Sequence, residues 1–143
     1  MIFAGSGCTG AIAKLIGVLG LRVPSQLDDR HDLTAHIAPT ERPVVFLGPF
    51  EHHSNEVPWR ETVADVVTIH EDADGHIDQG ELAEQLEKYA DRPVRIGAFS
   101  AASNVTGIVS DPTACLSWKT SPARTASMIA GVPPSSRSVG SAR

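Results

Sequence analysis

Cysteine is scarce in this chain: Cys8 and Cys115 are the two present, too few for a disulfide framework and at no spacing that suits zinc. A reducing cytoplasm is therefore the expected setting, and no metal ligand set is assigned. Charge of one sign is also lacking in bulk. The net charge of −5 argues against a nucleic-acid surface. Long apolar runs are missing too. The stretch 11–19 is broken by Lys14, has no basic segment before it or small-residue cleavage signal after it, and is too short to span a bilayer. These absences point to a soluble protein without a membrane or nucleic-acid partner. At 143 residues it is expected to hold one domain at most.

Acidic residues stop at Asp111, whereas Lys119, Arg124, Arg137 and Arg143 follow it. Residues 112–143 are rich in Ser, Ala, Pro and Arg and show no helical or strand period, so this tail is expected to be largely disordered. Residues 1–111 alternate differently. Met1-Ile2-Phe3 reads as the end of a strand, and 9–21 as a helix with Ile12, Leu15, Ile16 and Leu19 on one face. Residues 22–42 are polar, with Pro24 and Pro39, and read as an excursion with one helical turn near 32–36. The apolar run 44–47 reads as a strand covered on both faces. Residues 65–70 and 94–99 read as further strands, and 78–89 as a helix with Leu82, Leu86 and Tyr89 on its inner face. This alternation predicts an α/β fold: a mostly parallel sheet with flanking helices.

Chemistry-bearing residues gather at the ends of these expected strands. Gly5-Ser6-Gly7-Cys8-Thr9-Gly10 opens a helix, where unpaired N–H groups and the helix dipole suit a phosphate. The same residues could serve as a simple capping turn. After the 44–47 strand comes Gly48-Pro49-Phe50-Glu51-His52-His53-Ser54-Asn55-Glu56-Val57-Pro58-Trp59. The adjacent histidines read either as a site or as solvated loop residues, Ser54 can cap the following helix, and Pro58 is tolerable in that helix's first turn. Ser103-Asn104-Val105-Thr106-Gly107 follows the third strand, where Asn104 could serve turn geometry alone. Residues 70–81 match most of an EF-hand loop, with Gly75 sixth and Glu81 twelfth, but His70 stands at the first ligand position. An EF-hand needs a helix before the loop, and 63–69 reads as a strand. Asp78 and Glu81 also suit a helix cap and capping-box partner.

The Gly-rich loop, the Glu51-His52-His53-Ser54-Asn55 turn with its Pro58-Trp59, and Ser103-Asn104-Val105-Thr106-Gly107, in that order, resemble the class V aminotransferases. This family includes cysteine desulfurases and selenocysteine lyases and uses pyridoxal phosphate. The resemblance runs over about residues 2–111 and implies a piece of the large domain of a fold-type I transferase acting on an amino acid. It implies that Cys8 and Thr9 hold the cofactor phosphate, that His52 lies over the cofactor ring and takes part in catalysis, and that Asn104 meets the phenolic oxygen. Family members are typically homodimers. The family's Schiff-base lysine and desulfurase cysteine belong to motifs this sequence does not show, so Lys119 and Cys115 receive no catalytic role. The expectation is a fragment, inactive by itself. Its alternatives are a non-catalytic phosphate- or cofactor-binding piece, or a calcium-binding loop through residues 70–81.

Overall fold

Val44, Val45, Phe46 and Leu47 are all buried because their strand, β1 (Val44–Leu47), lies inside a sheet with helices on both faces. The computed structural model describes residues 7–100, 102–103 and 107–109, and the backbone of 124–130. Its elements in chain order are α1 (Gly7–Leu19), α2 (Ser25–His31), β1, α3 (His53–Arg60), β2 (Asp65–Thr68), α4 (Gln79–Lys88), β3 (Val94–Ser100) and β4 (Arg124–Ala130). Short 3-10 turns at Thr34–His36 and Pro39–Glu41 precede β1. The strand order is β2-β1-β3-β4 and every pairing is parallel, with Val44 opposite Asp65 and Arg95, and Val94 opposite Arg124.

Side chains alternate across a strand, so β1 divides its residues between two cores. Val45 and Leu47 join Ile96 and Ala98 from β3, Ile12 and Ile16 from α1, Leu21, and Trp59 from α3. Val44 and Phe46 face the other way and join Ile69, Ile77, Phe99 and Leu82 from α4. Leu86 and Tyr89 pack against this second core, as the inner face of 78–89 requires. The helix expected at 9–21 begins two residues earlier. It ends at Gly20 (φ 65°), where Leu21 N–H bonds to Ile16 C=O and Gly20 N–H to Gly17 C=O, a paired closure that favours glycine. No helix among the described residues is long and apolar enough to cross a membrane.

Three expectations about α2 and α3 are corrected. The stretch 22–42 carries a real helix, α2, which buries no residue and so leaves no apolar period to read. Ser54 is not the α3 cap: His52 is, its Nδ1 accepting from the Ser54 N–H at 3.2 Å. Pro58 is the sixth residue of α3 and so lies beyond the first turn. It leaves the Ser54 carbonyl without its helical donor, a loss opposed by the buried anchors Asn55 and Trp59 on either side. Within the tail expected to be largely disordered, the backbone of 124–130 forms β4, paired with β3 along all seven residues. That pairing is non-local, so no local pattern announces it. The strand expected at residues 1–3 lies outside the described residues.

Asp78 caps α4, its Oδ1 accepting from the Glu81 N–H at 3.0 Å. Glu81 does not complete the box; its carboxylate turns to His70, accepting from the backbone N–H at 2.7 Å and lying 3.0 Å from Nδ1. The His70 backbone N–H, then its ring, hold the Glu81 carboxyl below its ordinary value. Asp78→Ala should lower stability by about 1 kcal/mol, read from the urea unfolding midpoint at neutral pH. An unchanged midpoint would remove the cap from the account of how α4 begins.

Candidate functional site

Parallel strands place all their carboxyl ends on one edge of the sheet. The chain leaves β1 for β2 on one side and returns to β3 on the other, so the ends of β1 and β3 flank a topological switch point. Ligands of open α/β sheets sit in that crevice. The turn 48–52 and the segment after β3 both lie there.

Glu51 ties the two together. Its Oε1 accepts from the Ser100 backbone N–H at 2.7 Å, and its Oε2 accepts from the Ser100 hydroxyl and from Asn55 Nδ2, each at 2.6 Å. Asn55, 1% exposed, donates also to the Ala98 carbonyl at 3.2 Å, and its Oδ1 accepts from Trp59 Nε1 at 3.3 Å. A buried amide must satisfy both its donor and its acceptor ends, and this one does. The result is a hydrogen-bonded line from the core at Trp59 to the sheet edge at Ser100. Its members Glu51, Asn55 and Trp59 stand four residues apart in the sequence, Asn55 and Trp59 one turn apart on α3. Sequence reading assigned no role to Glu51, Asn55 or Ser100; the four-residue spacing was the available signal for the first two.

His52 and His53 are exposed, with ring centroids 6.0 Å apart and planes at 67°. His52 Nδ1 also lies 2.9 Å from Ser54 Oγ. Because Nδ1 accepts the cap bond, the neutral ring carries its proton on Nε2. Gly7, Cys8 and Thr9 are exposed at the start of α1. Partial burial of the sulfur, and secondarily the charge of Glu51, push the Cys8 thiol above its ordinary value. The first turn of α1 carries no carboxylate, unlike those of α2, α3 and α4, which hold Asp28, Glu56 and Glu81. Beyond β3, Ser103 N–H bonds to Ile108 C=O and Gly107 N–H to Ser103 C=O, closing a turn. Asn104 lies outside the described residues. The structure thus places the turn that carries His52 at the carboxyl edge of the sheet, bonded through Glu51 to the end of β3.

The loop 70–78 has its own local bonding. Asp72 Oδ1 accepts from the N–H groups of Asp74 and His76, Glu71 and Ile77 form an antiparallel bridge, and the strand β2 precedes the loop. Among the described residues no group of three or more His, Cys, Asp or Glu side chains is placed to hold a metal ion.

Two solved structures share this fold. The cysteine desulfurase CsdA of Escherichia coli (S-sulfonic acid form) is 20% identical, with a TM-score of 0.51 over 85% of this chain and 33% of its own. The glutamate decarboxylase domain of diaminobutyrate-pyruvate transaminase and L-2,4-diaminobutyrate decarboxylase from Vibrio parahaemolyticus is 17% identical, with a TM-score of 0.50 over 86% of this chain and 28% of its own. The chain therefore spans about a third or less of their lengths. No curated protein matches it in sequence. The model of the aminotransferase class-V family matches residues 32–119, taking in the His52 turn and β3 and leaving α1 upstream. With well over half of its residues inside that match, this chain belongs to the class-V aminotransferase family.

Proposed function

We propose that this chain forms the cofactor-facing part of a pyridoxal-phosphate-dependent enzyme acting on an amino acid. One observation carries the reading: the His52 turn is bonded through Glu51 to the end of β3 at the switch point between β1 and β3.

The residues present fit the phosphate and the ring of such a cofactor by their donor chemistry. The first turn of α1 offers N–H groups, the Thr9 hydroxyl and no carboxylate, which suits a dianion at the positive end of a helix. His52 offers an exposed imidazole whose tautomer is set by its cap bond. In this reading Cys8 and Thr9 hold the phosphate, Cys8 through its backbone. His52 covers the ring and carries a proton at Nε2, and Asn104 meets the phenolic oxygen as the family resemblance implies. The bound cofactor supplies an electron sink for the carbon of the amino acid. The described lysines are Lys14, in the body of α1, and Lys88, beside Tyr89 at the end of α4, and neither lies on the turns of the site. We therefore expect reversible retention of the cofactor and no turnover by this chain alone.

Absorbance titration with pyridoxal phosphate, followed by borohydride reduction and dialysis, tests this. Expected is saturable binding that inorganic phosphate competes away, with no lysine labelled. Stacking of about 0.5–1.5 kcal/mol beyond burial predicts that His52→Ala weakens binding about two- to twelvefold. Absence of saturable binding would overturn the cofactor reading, and a labelled lysine would overturn the expectation of no turnover.

A further inference from the structure

A carboxylate beside a site for an anion needs a reason, and the partners of Glu51 supply one. All three of its donors come from outside its own turn: two from Ser100 at the end of β3 and one from Asn55 in α3. Glu51 is also the residue immediately before His52, the N-cap of α3. We propose that Glu51 is the positioning residue for His52, clamping the turn that carries the ring to β3 across the switch point. This rests on the reading of His52 as the ring-facing residue.

The clamp and the cap act on successive residues. Glu51 is fixed to β3 by its side chain, and His52 is fixed to α3 by Nδ1, leaving the backbone between them extended (His52 φ −72°, ψ 147°). A ring on an otherwise exposed turn thereby has one backbone setting, one tautomer and one outward Nε2–H. Preorganisation of this kind spares a ligand the cost of ordering the loop. Gly48 belongs to the same device. A Cβ at that position would stand 2.9 Å from Glu51 Oε1, so glycine leaves room for the carboxylate to reach Ser100. The line back through Asn55 to the fully buried Trp59 roots the clamp in the core, so its geometry does not depend on solvent-exposed side chains.

Nitrogen-15 NMR of histidine-labelled full-length protein tests the proposal, with the His52 signals assigned by their loss in His52→Ala. Wild type should show the Nε2–H tautomer with Nδ1 as acceptor. Glu51→Ala should shift His52 toward mixed tautomers, speed exchange of the Ser100 amide, and weaken pyridoxal phosphate about tenfold, the loss expected of hydrogen bonds to a charged group. Glu51→Gln keeps one acceptor oxygen and should recover part of each change. Gly48→Ala displaces the carboxylate without removing it and should resemble Glu51→Ala. Unchanged His52 signals in both Glu51→Gln and Gly48→Ala would overturn the proposal, even if Glu51→Ala failed to fold. Altered His52 signals with no cofactor binding by wild type would uphold the clamp and overturn the cofactor reading.

Discussion

Trp59→Ala is expected to cost about 3–5 kcal/mol, the largest effect among the substitutions considered, and to leave much of the chain unfolded at 37 °C. Trp59 is fully buried between α1, β1 and β3. Truncation opens a cavity the size of an indole, and the neighbouring Ile12, Ile16 and Leu47 can collapse into it only in part. It also removes the N–H that satisfies Asn55 Oδ1. Trp59→Phe separates these causes, because it keeps most of the volume and loses the donor, so about 1–2 kcal/mol is expected. Urea unfolding followed by far-UV circular dichroism measures both. A loss below about 1 kcal/mol for Trp59→Ala would mean that α3 is not seated on the sheet as described.

Asn55→Asp should destabilise by about 3 kcal/mol at pH 7, although it changes no volume. It replaces a donor 2.6 Å from Glu51 Oε2 with an acceptor, and turns a satisfied buried amide into a second carboxylate. Two carboxyl groups at that separation cannot both ionise, and burial acts in the same direction. The folded variant therefore binds a proton that its unfolded chain releases. When the folded state holds more protons, stability falls as pH rises. The deficit relative to wild type should be largest at neutral pH and shrink on acidification toward the ordinary carboxylate range. A deficit independent of pH between 5 and 8 would show that position 55 does not face Glu51.

The sequence was most legible where burial repeats locally. The run 44–47 announced a strand covered on both faces, and Leu82, Leu86 and Tyr89 announced the inner face of α4. Asp78 was legible as a cap because capping uses residues three apart. α2 was not legible, for it has no buried face. Nor was the His52 cap, because an imidazole accepts only with one nitrogen and only in one tautomer, while Ser54 beside it is the commoner capping residue.

By itself, the sequence determined the alternation of strands and helices, their two-sided burial and the family, through short-range periodicity and motifs read along the chain. The tertiary structure alone decided the strand order β2-β1-β3-β4 and the partnership of Glu51 with Ser100, residues 49 apart in the chain. It also decided that a strand at 124–130 extends the sheet. The reason is the same in each case. Periodicity records which side of an element meets the core, whereas pairing between distant strands and a carboxylate's choice of donors depend on which segments the folded chain brings within 3 Å.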